Sequence, residues 1–323
     1  MALAAATRLV SQQLPNRELA ARRFLASAPN HGIDLSLLFG TIAPGLPGAP
    51  RTLTQVALVV PGHGRTGMFF VSEPAAGAPP EHTSPELAAR ARADRVACIN
   101  AGLEHLRTFL SQRVRLAQAL PGPGDAWALD AFRDAGFLHA GDLAYLRATL
   151  NSVASEAILW PEGVRVVPAS QIATASSPAS QRAELDATLI AALERSYVDT
   201  KDCPELCGLR DTADILASHR ATGQYDPRLW FLVFESGSPE GCMLLSRCPD
   251  QRSVELVYLG LSPKLRCKGL GKLLMRLAMQ RLSGLPETEL ACAVDKRNLP
   301  ALALYKSFGL NAFSDRVALV RRP

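Results

Sequence analysis

An α/β protein built as two domains is the architecture this chain predicts, and three observations predict it. Strand-like and helix-like runs alternate from one end to the other. The chain has 323 residues, which suits two domains of about 150 residues each. Its two halves close on one shared pattern of strand, helix, glycine and strand.

Composition narrows the class. Nearly half of the residues are apolar, enough for sizeable cores, and no apolar run approaches the length of a membrane span. A net charge of +5, spread along the chain, suits an anionic ligand and is too weak to argue for nucleic acid. Seven cysteines without a disulfide framework point to free thiols in a reducing cytoplasm. Cys203 and Cys207 form C-x3-C, but with no second pair and no well-spaced histidine no metal is expected.

Residues 1–28 are rich in Ala and Arg, as a transit peptide is. Leu9, Leu14, Leu19 and Phe24 recur among polar residues and Glu18 breaks the basic pattern, so an amphipathic helix is preferred, interrupted at Pro15 and restarted by an Asn16 cap. Arg8 interrupts the first apolar run, so no secretory signal is legible. Residues 40–50 read as loop, and 53–60 and 68–72 as a hairpin. The turn between them, Gly62-x-Gly64-x-x-Gly67, matches the dinucleotide fingerprint letter for letter. That fingerprint needs a helix next, and a strand-like run follows instead, so His63 reads as a turn residue.

After a loop over 74–80, Ser84-Pro85-Glu86 opens a long helix to Leu110. A strand over 114–120, a turn, a helix over 127–135 stopped by Gly136, and two short strands about Gly141 complete the first half. The linker is placed at 151–163, between domains at 1–150 and 164–323.

The second half reads as a strand over 164–167, a helix over 181–197, a loop over 200–208 and a helix over 212–219 capped near Asp211. Strands at 230–235, 243–247 and 253–261, a helix over 272–282, a strand over 289–294, a helix over 300–308 ended by Gly309, and a strand over 313–320 follow.

The clearest chemistry lies between the strand ending at Leu261 and the next helix. Arg266, Cys267, Lys268, Gly269, Leu270 and Gly271 read R-x-x-G-x-G. A turn at that junction leaves several backbone N–H groups unpaired at the positive end of a helix dipole, and its glycines let a ligand approach. This is an anion cradle, suited to a pyrophosphate. A P-loop fails here because Leu273 follows Gly271-Lys272 and Arg266 stands where the first glycine belongs. A dinucleotide loop fails because position 274 is Leu. Acyl-CoA remains.

The run from Leu256 to Leu274, LVYLGLSPKLRCKGLGKLL, resembles motif A of the GNAT superfamily of N-acetyltransferases, and Asn298-x-x-Ala301-x-x-Leu304-Tyr305-x-x-x-Gly309-Leu310 resembles the superfamily's next motif. The two together, in order and about thirty residues apart, cover residues 164–323. The first half echoes only the closing part: aligned on Gly136 and Gly309, Phe132 faces Tyr305 and Asp125 faces Asn298, and no R-x-x-G-x-G precedes its long helix. The resemblance implies two GNAT-like domains, each a mixed, mostly antiparallel central sheet flanked by helices, with the N-terminal copy degenerate.

It also implies an acetyl-CoA-dependent N-acetyltransferase acting on a primary amine in a ternary complex, with acetyl-CoA as co-substrate and no metal. The cradle would hold the CoA pyrophosphate, with charge from Arg266 and Lys268. The backbone of Leu259, Gly260 and Leu261 would pair with the pantetheine arm, with an amide near Leu259 polarising the thioester. Tyr305 is the expected general acid, or else a helix aromatic packed in the core. Asn298 would bind the CoA arm, cap the following helix, or both. Glu255 is the candidate base; strict strand alternation groups it with Val257 and Leu259 and turns Tyr258 into the core. Cys267, without a histidine partner, is not read as a covalent nucleophile. The acceptor, a small-molecule or peptide amine, is expected against residues 200–210, where Asp202, Glu205 and Arg210 lie, with Asp226 and Trp230 as further contributors. No nucleic-acid or membrane partner is expected, and the protein would be a cytoplasmic monomer or homodimer. The rival class is a non-catalytic acyl-CoA sensor, which needs neither Tyr305 nor Glu255; a longer acyl donor is a third reading.

Overall fold

The protein is described from a computed structural model, over residues 1–43, 52–75, 84–151 and 156–323. Most of the loops expected at 40–50 and 74–80 and part of the linker at 151–163 lie outside the described residues. The chain forms two compact units, Met1–Ala140 with Val317–Pro323, and Gly141–Arg316.

In the first unit, helices α1 (Ala2–Leu9) and α2 (Arg17–Ser27) flank Pro15, and Asn16 caps α2 by accepting from the Leu19 amide at 3.0 Å. Strands β1 (Leu38–Ile42), β2 (Leu53–Gly62), β3 (Thr66–Val71) and β4 (Leu116–Ala119) follow, with the long α3 (Pro85–Phe109) between β3 and β4. Strand β1 was not legible: Gly40 reads as loop, yet it sits in the strand because a Cβ there would lie 2.7 Å from the Leu53 side chain. Strands β1, β2 and β3 pair antiparallel, β3 and β4 parallel, and β4 pairs antiparallel with the last residues of β11 (Asn311–Arg321). Val59, Phe69, Ile99, Leu106, Phe132 and Leu319 meet in its core. The turn at His63–Arg65 joins β2 to β3 as a hairpin, so the glycine fingerprint there has no helix to serve.

The second unit carries β6 (Val164–Pro168), α5 (Ala179–Tyr197), α6 (Thr212–Ala221), β7 (Trp230–Glu235), β8 (Ser238–Cys248), β9 (Ser253–Leu261), α7 (Leu270–Leu282), β10 (Glu289–Asp295) and α8 (Leu299–Ser307). Its sheet runs β6, β7, β8, β9, β10 and then β5 (Leu138–Thr149); only β9–β10 is parallel. The sheet is therefore mixed and mostly antiparallel, with a core on each face. Trp230, Leu232 and Leu244 pack against α5 and α6, while Phe231, Val233 and Leu245 pack against α7 and α8. This is the period-2 alternation of a sheet buried on both sides.

One expectation needs correction here. The residues about Gly141 do not separate two short strands: β5 is one strand of 12 residues. Gly141 serves close approach instead, since a Cβ would lie 2.9 Å from Asp295 Oδ2 and from Cys203 Sγ. The first compact unit includes the end of β11, and the second includes most of β5. An antiparallel end strand carries no sequence signal for which sheet it joins.

The echo between the halves is physical. Helix α4 (Ala126–Asp134) and α8 each have nine residues. Each ends on a left-handed glycine, Gly136 at φ 76° and Gly309 at φ 80°. Phe137 N–H donates to Phe132 O, and Leu310 N–H donates to Tyr305 O, the same terminating motif twice.

Candidate functional site

The site in the second unit begins with a failure of pairing. Strands β9 and β10 bond only from Ser253 to Glu255 and from Glu289 to Ala291. Beyond that they part, and a cleft of about 330 Å³ opens, lined by β9 from Leu256 to Leu261, by Ala293 and Val294 of β10, and by Asn298 and Tyr305 of α8. The pairing that would have used the β9 backbone on this side is absent, so the strand's amides and carbonyls face the cleft ready for a ligand that is itself extended.

A bulge sets what faces where. On β8, Leu244 pairs with Tyr258 and Leu245 pairs with Leu256, leaving Val257 as the extra residue. The extra residue reverses the alternation after it. Leu256, Leu259 and Leu261 turn to the α7–α8 face, and Val257 and Tyr258 both turn to the α5–α6 face. Strict alternation had grouped Glu255 with Val257 and Leu259 and opposed it to Tyr258; the bulge separates Leu259 from that set and brings Tyr258 into it. Tyr258 is a packing residue, as expected: its hydroxyl lies 2.8 Å from Ser196 Oγ, and its ring stacks on His219 at 5.6 Å. It also dictates Gly260, where a Cβ would fall 2.6 Å from the tyrosine ring. Gly260→Ala is expected to force the ring off Ser196 and to lower Tm by several degrees, since overpacking costs about 1–3 kcal/mol; a thermal melt checks it.

The cradle closes one end of the cleft. Gly269 caps α7 at φ 76°, Cys267 lies at φ 60°, and α7 has no side-chain cap. Among the described residues, no backbone carbonyl accepts from the amides of 267–271, so the positive end of α7 is open. At α3, by contrast, Ser84 Oγ accepts from the Leu87 amide and Pro85 has no N–H to offer. The two cradle glycines have separate jobs. Gly269 is required by its backbone angle and has open space around it, whereas a Cβ at Gly271 would lie 3.1 Å from Leu304 of α8. Gly271 thus lets two helices meet, a role the ligand-approach reading does not include.

Arg266 lines the cleft, but its guanidinium is engaged by four carbonyl oxygens. Nε donates to Leu261 O at 2.9 Å, Nη1 to Asp199 O at 3.0 Å, and Nη2 to Ser196 O at 2.9 Å and Val198 O at 2.7 Å. It ties the carboxyl end of α5 to the cradle and places its charge where that helix end favours a cation. Lys268 reaches only Glu235, at 3.5 Å, and is more than half exposed, so it is the cradle cation with freedom to move. Cys267 is exposed.

Tyr305 is 6% exposed, and among the described residues no group hydrogen bonds its hydroxyl. Burial, with lesser contributions from Cys292 and Asp202, pushes the phenol far above its usual range; it stays protonated and able to donate. Asn298 caps α8, its Oδ1 accepting from the Ala301 amide at 3.3 Å, and its side chain also borders the cleft. Glu255 lies one residue before the lining begins, and burial raises its carboxyl above the ordinary range.

The loop after α5 was expected to shape the acceptor side, and its charges divide sharply. Arg297 binds Glu205 bidentately at 2.6 and 2.7 Å and also holds Asp295; Glu205 foremost, then Asp295, raise its pKa. Arg210 donates to Ser218 at 2.9 Å and does not line the cleft. Asp226 is bound by Arg228, and Trp230 is fully buried, so neither borders the cleft. Asp202 does line it. Sequence reading gave Asp202 no priority over its neighbours, because the bond that fixes it is to residue 295.

Residues 192–310 match the family model for the acetyltransferase (GNAT) family. Over this stretch the chain is similar to the GNAT acetyltransferases, a family of transferases. Over 69 residues the chain is 39% identical to the mycothiol acetyltransferase of Segniliparus rotundus, a stretch covering 21% of this chain and 25% of that protein. The chain therefore matches about a quarter of that relative's length. Among solved structures, a GCN5-related N-acetyltransferase from Sphaerobacter thermophilus has a TM-score of 0.55 at 17% identity, covering 99% of this chain and 92% of that one. A GCN5-related glucosamine N-acetyltransferase region of a fungal multi-domain GH3 β-N-acetylglucosaminidase has a TM-score of 0.51 at 15% identity, covering 95% and 37%. These two likenesses establish the fold, an α/β arrangement with a mixed, mostly antiparallel sheet. Among the described residues no helix is long and apolar enough to cross a membrane, and no group of three His, Cys, Asp or Glu is placed to hold a metal ion.

Proposed function

We propose that the second unit transfers an acetyl group from acetyl-CoA to a primary amine by direct attack while both are bound. One observation carries the reading: an uncapped helix N-terminus with unpaired amides stands at the end of a splayed-strand cleft, and Tyr305, whose hydroxyl bonds no group among the described residues, lines that cleft. The family match over 192–310 supports acyl transfer from CoA, and the stretch shared with a mycothiol acetyltransferase supports acetyl as the group moved.

Acetyl-CoA fits the residues present. Its diphosphate matches the open amides of 267–271, with Lys268 adding charge. Its pantetheine arm matches the unpaired edge of β9 at Leu259, Gly260 and Leu261. When bound it supplies the activated acyl group, and the chain does the rest. The Leu259 amide polarises the carbonyl. Glu255, kept basic by burial, takes the amine's proton through water. Tyr305 donates its proton to the departing sulfur. Asn298 holds the arm with the part of its side chain not used in capping.

In the first unit Phe132 stands where α8 has Tyr305, and Ser84 caps its long helix from within. We read that unit as a copy without a donor site. Acetyl-CoA is expected to protect Cys267 from iodoacetamide while exposed Cys207 still reacts, read by peptide mass spectrometry. Equal labelling of Cys267 with and without acetyl-CoA contradicts binding at the cradle.

A further inference from the structure

Two aspartates that the transfer mechanism does not use line the cleft, Asp199 and Asp202, and of these Asp202 is the one anchored to β10. Asp202 is fixed by a reciprocal exchange: the Asp295 amide donates to Asp202 Oδ1 at 2.8 Å, and the Cys203 amide donates to Asp295 Oδ2 at 3.0 Å. Thr200 Oγ1 accepts from the Asp202 amide at 3.1 Å. Arg297 is held by Glu205 and Asp295, and Arg266, on the cleft wall, is engaged by backbone carbonyls; Lys201 also lines the cleft. Among the described residues no cation pairs with Asp202, and its second oxygen has no partner.

Around it the acceptor side takes shape. Asp202 and Tyr305 both line the cleft, and Asp202 is close enough to raise the phenol's pKa further. The Tyr305 hydroxyl bonds no group among the described residues and is a donor on the same cleft wall. Ala293, small and exposed, and Tyr258 line the same cleft, and Asp202 is close enough to raise the Tyr258 pKa as well. Asp202 is accessible from solvent at the cleft. Nearby protein raises its carboxyl by partial desolvation, and an arriving cation relieves that cost.

We propose that Asp202 recognises the acceptor: it receives the ammonium of a cationic primary amine through its unbonded oxygen and holds that nitrogen beside the thioester. The inference rests on the acetyl-transfer reading and adds the acceptor's class, an amine that arrives charged. It assigns Asp202 to binding. Glu255 takes the first proton from the ammonium to free the nucleophile. The second, lost from nitrogen as the C–N bond forms and the C–S bond breaks, replaces the one Tyr305 gives to sulfur. An amine bearing a carboxylate on the adjacent carbon meets repulsion here, whereas putrescine, glucosamine or tyramine does not.

Asp202→Asn tests this cleanly, because the amide oxygen still accepts from the Asp295 N–H while the charge is gone. With acetyl-CoA saturating and putrescine, glucosamine and tyramine as probes, KM for the amine is expected to rise by about tenfold or more, with the loss in KM rather than in kcat. KM for an aniline, uncharged at neutral pH, is expected to change little. An unchanged KM for every charged amine overturns the proposal, as does a loss confined to kcat. So does an Asn variant like the native protein beside an impaired Asp202→Ala, which would assign Asp202 only to pinning the loop. Calorimetric titration of the same amines into CoA-saturated protein covers the case of no turnover: binding weakened by Asp202→Asn supports the proposal, and no binding, or equal binding, overturns it. Failure of the native protein to bind acetyl-CoA at all would instead remove the acetyl-transfer reading beneath it.

Discussion

Tyr305→Phe is expected to lower kcat by about a hundredfold while the dissociation constant for acetyl-CoA stays within about twofold. The variant removes one oxygen and little packing, because the ring sits among Cys292, Val294 and Leu310 in the core and Phe fills the same space. The hydroxyl makes no hydrogen bond among the described residues, so folding loses nothing with it. The ring is buried while the residue lines the cleft, where the hydroxyl's partner in the reaction is the departing sulfur. Unchanged turnover in single-turnover kinetics would return Tyr305 to the role of a core aromatic. The first unit shows that this role is sufficient for folding, since Phe132 holds the matching position with the same helix ending.

Glu255→Gln is the second large effect. Burial disfavours the charged carboxylate and raises its pKa. The base form is required, so kcat/KM is expected to fall as pH drops through that raised pKa, on a limb lying above the ordinary carboxylate range near pH 4. The Gln variant loses about a hundredfold in kcat/KM and loses this limb. Stability moves in the opposite direction. The folded pKa exceeds the unfolded one, so the group favours folding fully below its unfolded pKa, and that contribution is lost as pH rises through the folded pKa. At neutral pH the native carboxylate is therefore a penalty, and Glu255→Gln is expected to raise Tm there, with the gain vanishing in acid. A pH–rate profile and paired melts read both. A variant that is both active and less stable at neutral pH contradicts the assignment.

Sequence made the local parts of the site legible and left the long-range parts hidden. Gly269, Asn298 and Gly309 announce themselves because each does a local job: a left-handed helix cap, a side-chain cap and a helix stop. The match between α4 and α8 was legible for the same reason. The bulge at Val257 was not, because it exists only in the register with β8, and without it the faces of β9 are assigned wrongly. Arg266 reads as a phosphate ligand from its place in R-x-x-G-x-G, yet its four acceptors belong to the end of α5 and to Leu261. Asp202 stood undistinguished among loop residues because its anchor lies 93 residues away. Gly141 looked like a turn because nothing nearby reveals Asp295 and Cys203 packed against it.

The most direct test of acetyl transfer by the second unit is free-thiol release from acetyl-CoA across a panel of amines, with acetyl-CoA binding measured in parallel. Release that depends on an amine, is strongest with cationic amines, and collapses in Tyr305→Phe is the result expected. Tight acetyl-CoA binding with no thiol release for any amine would contradict it, and would make the cleft the pocket of an acyl-CoA sensor.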